Sequence, residues 1–210
     1  LKKRDKSARP VYVTAMIKAM TELIKEKKVD NLDKWTEFCA WVLSHPDTAH
    51  EEGQPVPEDK SRDYPDWGGS RQAVVEFVDA CVSEGADAPI TARDGLAALL
   101  REVCNQPDWW LDHGSPVALI HNDPIHEAIN NTRSRALESL VHFGFWVRRQ
   151  LPKDQLPEVT EILSKRLAKE AETPLTRPEQ ALLGMYFGSL CALNRDWAAQ
   201  ERERIFPQAE

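Results

Sequence analysis

Asp112, His113, His121, Asp123 and His126 lie within fifteen positions of one another, and they are the residues of this chain best suited by type to do chemistry. Imidazole and carboxylate together can hold a catalytic metal ion and activate a water on it, so His113, His121, Asp123 and His126 form a candidate metal-dependent hydrolase site. The spacing argues the other way. No two histidines stand four apart on a helix, and Asp112-His113 reverses the order in which metal-dependent hydrolases use a His-Asp pair. Local structure can also use these residues without any ion. Asp123 suits a helix cap, Pro124 a first-turn position, and Glu127 the positive end of a helix. The expectation is therefore packing and capping in this stretch, with no catalytic residue, metal or cofactor.

The second candidate is basic. Arg133 and Arg135 in "NNTRSRALE" add positive charge to a helix end that is already positive, which is unfavourable unless acids or a ligand compensate. Salt bridges to a neighbouring helix are the ordinary solution; an anion site using the guanidinium forks is the sharper one. With Arg148 and Arg149 on the same helix and the basic opening "LKKRDKSAR", these residues make a nucleic-acid-binding helical domain the first alternative. The net charge of −7 opposes it, because an acidic protein has no global attraction to nucleic acid. Trp109, Trp110, Trp41 and Phe145 are the aromatic candidates for contact with a protein partner, since large aromatics often carry binding energy.

The elements that must position these side chains are helices throughout. Hydrophobic residues make up 41% and charged residues 29% of the 210 positions, the balance of a folded chain rather than a disordered one. Apolar residues recur at helical spacing nearly everywhere, and no segment alternates as a strand does. Eight helices are expected: Pro10 to Lys28, Leu32 to Ser44, Ser70 to Ser83, one opened by a Thr91 cap, one from Asp123-Pro124 to Leu151 broken near Asn130, Leu156 to Ala171, Thr176 to Asn194, and one from Asp196. Gly85 closes the third, and Thr176 with Glu179 forms a capping box for the seventh. In the fifth, Leu137, Leu140, Gly144, Val147 and Leu151 make a packing stripe, and Gly144 admits a close neighbour.

Taken in order, the helices form four antiparallel pairs. The expected fold is all-α, the pairs stacked as a short HEAT-like α-solenoid, with an irregular helical bundle as the alternative. The expected organisation is an N-terminal helix pair over 1–45, a polar proline-rich loop over 46–68 and further pairs of the same domain over 69–210. A first residue other than Met marks the chain as an expected fragment of a longer one. Cys39, Cys81, Cys104 and Cys191 sit apart in apolar helical patterns, so reduced thiols and a cytoplasmic location are expected. The longest apolar run, Ala181 to Leu193, is shorter than the about 20 residues a membrane span needs, so no membrane partner is expected.

The stretches "DPIHEAINNTRSRALESLVHFGFW" and "EQALLGMYFGSLCALNRDWAAQERERIFP" resemble helical-repeat regions of large bacterial anti-phage defence NTPases, a resemblance limited to about residues 121–207. It implies a helical sensor or scaffold arm, with any catalysis in other domains of the parent protein. The expected function is thus non-enzymatic recognition of a protein partner or an intramolecular domain.

Overall fold

The computed structural model describes residues 10–28, 32–45, 67–85, 88–106, 123–168 and 175–207. Of these residues 82% are helical and none is in a strand. Among the described residues ten α-helices follow one another: α1 (Pro10–Lys25), α2 (Leu32–Leu43), α3 (Trp67–Val82), α4 (Arg93–Asn105), α5 (Pro124–Ile129), α6 (Thr132–Gln150), α7 (Pro157–Leu167), α8 (Arg177–Met185), α9 (Phe187–Leu193) and α10 (Arg195–Ile205). The all-α expectation holds.

The helix ends follow from local chemistry. Asp123 accepts from the Ile125 and His126 amides and starts α5; Asn131 accepts from the Ser134 amide and starts α6. The break between α5 and α6 therefore falls at Asn130-Asn131, where it was expected. Thr176 and Glu179 form the capping box of α8. The Thr91 cap is absent: Ile90–Ala92 forms a 3-10 turn that runs directly into α4, and Ala92 takes the cap position with no side-chain bond. The seventh expected helix is two, because the chain bends at Tyr186 between α8 and α9. Trp67 and Gly68, expected in the loop, form the first turn of α3.

Neighbours in space alternate along the chain. One row contains α1 on α3, α3 on α6, and α6 on α8 and α9; the other contains α2 on α4, α4 on α7, and α7 on α10. The rows meet where α4 lies on α3 and α6, where α2 lies on α3, where α7 lies on α6, and where α8 and α9 lie on α10, while α5 packs on α8. Such packing is compatible with a short stack of helix pairs and with an irregular bundle. A helix in the middle of a row must be apolar on several sides, and α6 is: Leu137, Leu140, Val141, Phe143, Trp146 and Val147 are all buried. Trp146 is fully enclosed, and its indole N–H donates to the Ala88 carbonyl at 3.1 Å. Leu151, expected in the same stripe, is 41% exposed because α6 ends one residue earlier.

Glycines permit two of the close approaches. A Cβ on Gly144 would lie 2.8 Å from Leu193 Cδ1, so α9 can sit directly on the α6 backbone. A Cβ on Gly95 would lie 2.9 Å from Thr36 Oγ1, which sets the approach of α4 to α2. Polar clamps fix the rest. Arg93 at the start of α4 grips Asp154 (2.7 and 2.9 Å) and Glu158 (2.6 and 2.8 Å), tying it to α7. His45 and Trp67, which flank residues 46–66, stack at 4.2 Å with an interplanar angle of 17°. The expected polar loop itself lies outside the described residues apart from Trp67 and Gly68.

Candidate functional site

The four arginines of α6 do not gather into one patch. Arg133 points into the interior, where its side chain is 1% exposed. Its Nε and Nη2 donate to the two oxygens of Glu179 at 2.9 and 3.1 Å, and its Nη1 reaches the Gln106 carbonyl at 3.3 Å. Arg166 of α7 donates to the same carboxylate at 2.8 Å, and the Thr176 amide and hydroxyl complete it at 2.9 and 2.8 Å. One acid thus serves a capping box and two buried guanidinium groups, joining α6, α7 and α8. This is the salt bridge across helices that the position of Arg133 called for. Arg135 pairs instead within its own helix, with Glu138 at 3.6 Å.

Arg148 and Arg149 close helix ends. Arg148 donates to the carbonyls of Pro152 (2.8 Å) and Leu193 (2.7 Å), and Arg149 to that of Val82 (2.6 Å). Val82 and Leu193 are the last residues of α3 and α9, whose carbonyls have no partner within their own helix and carry the negative end of its dipole. Phe145 is half-buried against the core, and Trp41 lies in an aromatic cluster with Phe38, His45 and Trp67. Trp109, Trp110, Asp112, His113 and His121 lie outside the described residues. Asp123 and His126 are exposed, Asp123 as a cap. Among the described residues, no group of three or more His, Cys, Asp or Glu side chains is placed to hold a metal.

The polar cluster with the most chemical potential joins α3, α6 and the α8–α9 bend. Asp79 of α3 and His142 Nδ1 of α6 are 2.7 Å apart, and Ser139 Oγ donates to the same carboxylate oxygen at 3.4 Å. Beside them the Tyr186 hydroxyl donates to Glu138 at 2.5 Å, and the Tyr186 ring meets the His142 ring edge-on at 6.0 Å. The Asp79 bond raises the His142 pKa above its ordinary value against the opposing effect of burial, and the charges of Asp79 and Glu138 add to it. Burial alone would raise the Asp79 carboxyl, but the His142 hydrogen bond and charge, helped by Arg135 and Ser139, hold it below its usual value. Burial first, then donation to Glu138, pushes the Tyr186 hydroxyl up to about 12.

An open groove of about 630 Å³ adjoins this cluster between α1, α3 and α6. Lys18, Thr21, Lys25, Glu76, Asp79 and Arg135 are among its lining residues. Asp79 and Arg135 therefore belong to both groove and cluster. Sequence reasoning missed Asp79 and Tyr186, which lie 63 and 44 positions from His142 in the chain. Only packing brings them together.

Comparison of the chain with family models, with curated proteins and with solved structures finds no match.

Proposed function

We propose that this chain is a non-enzymatic helical scaffold or sensor module, a short HEAT-like stack that presents its rows to a protein partner or to another domain of its parent protein. The observation that carries this reading is the alternation of neighbours: α1, α3, α6 and α8–α9 in one row, α2, α4, α7 and α10 in the other. Stacked rows give long surfaces whose shape is set by packing, which suits recognition of a large ligand. The polar side chains that looked most like chemistry in the sequence support it too, since Asp123, Arg133, Arg148 and Arg149 serve caps and ion pairs of the stack. Anti-phage defence in a bacterial cytoplasm is the setting we propose, on the resemblance of residues 121–207 to the helical arms of defence NTPases.

The test is affinity capture from lysates of infected and uninfected host cells, with hydrogen exchange of the captured complex. A stoichiometric protein that slows exchange across contiguous helices of one row is the expected result. Recovery of the lone chain from both lysates, with an unchanged exchange pattern, overturns the reading.

A further inference from the structure

We draw no further inference here: the strongest candidate, the open groove between α1, α3 and α6, carries nothing, because its basic side chains Lys18, Lys25 and Arg135 are matched by the acids Glu22, Glu76 and Asp79 and nothing in the structure shows what it would take.

Discussion

Glu179 of α8 holds the Arg133 guanidinium of α6 in a two-point fork, and both side chains are enclosed, 0% and 1% exposed. A buried ion pair of this kind adds little net stability compared with apolar packing, but removal of one partner leaves an uncompensated charge. Here the loss would strand two guanidinium groups, because Arg166 shares the carboxylate. We expect Glu179→Ala to destabilise the chain by about 3–5 kcal/mol in urea denaturation, and the joining of α6, α7 and α8 to fray first in hydrogen exchange. A loss under about 1 kcal/mol would show that the carboxylate is dispensable.

The Asp79–His142 pair should make stability depend on pH near neutrality. The folded His142 pKa lies above its unfolded value of about 6.5, so its stabilising contribution is full below that value and lost as pH rises through the folded pKa. The Asp79 pKa is lowered, so its contribution is present above the unfolded value and lost as pH falls through the folded one. The pair is therefore strongest between the two folded pKa values. Both side chains are about a third or more exposed, which keeps the effect below about 1 kcal/mol. In NMR titration the His142 ring should show a midpoint above about 6.5, and Asp79→Asn should bring it down. A midpoint unmoved by that substitution would remove the coupling.

Two glycines, Gly144 on α6 and Gly188 on α9, should respond in opposite directions to alanine. Gly144→Ala forces a Cβ against Leu193, itself buried, and overpacking of that kind costs about 1–3 kcal/mol, partly offset by the better helix propensity of alanine. A Cβ on Gly188 meets nothing within 4 Å, so Gly188→Ala should stabilise by a few tenths to about 1 kcal/mol. Thermal melts of the two variants, with Gly144→Ala/Leu193→Ala as the relief pair, give the answer. Equal melting shifts would contradict the close approach of α9 to α6.

Thiol chemistry separates the cysteines. Burial pushes Cys39 and Cys104 up to about 12 and raises Cys81 too, so little thiolate forms in any of them near neutral pH. Cys191 is only half-buried. A chromogenic disulfide reagent should modify Cys191 first in the native protein and all four thiols after denaturation, and fast reaction at Cys104 would show that α4 opens readily.

Much of the local structure was legible because its causes are local. Asp123, Asn131 and the Thr176–Glu179 box act on amides within a few residues of themselves, so their types and spacing announce the helix starts. Thr91 failed as a cap because a 3-10 turn there satisfies the backbone by itself, an outcome that side-chain propensity does not register. Tyr186 gave no turn signal either; the bend brings its hydroxyl to Glu138. The arginines show the same divide. The charge of Arg133 and Arg135 at the start of α6 asked for compensation, but the sequence could not say that Glu179 would answer Arg133 from 46 positions away.

By itself the sequence determined the helices, since the periodicity of apolar residues and the capping residues act within a turn or two of chain. It also set the cysteines in apolar helical patterns, and three of the four are buried. Tertiary structure alone decided which polar groups meet: Asp79 with His142, Tyr186 with Glu138, Arg148 and Arg149 with the carbonyls at the ends of α9 and α3. Those contacts depend on how rows of helices align, and alignment follows from side-chain volumes and glycine gaps summed over the whole core. Spacing along one segment of chain carries no information about that sum.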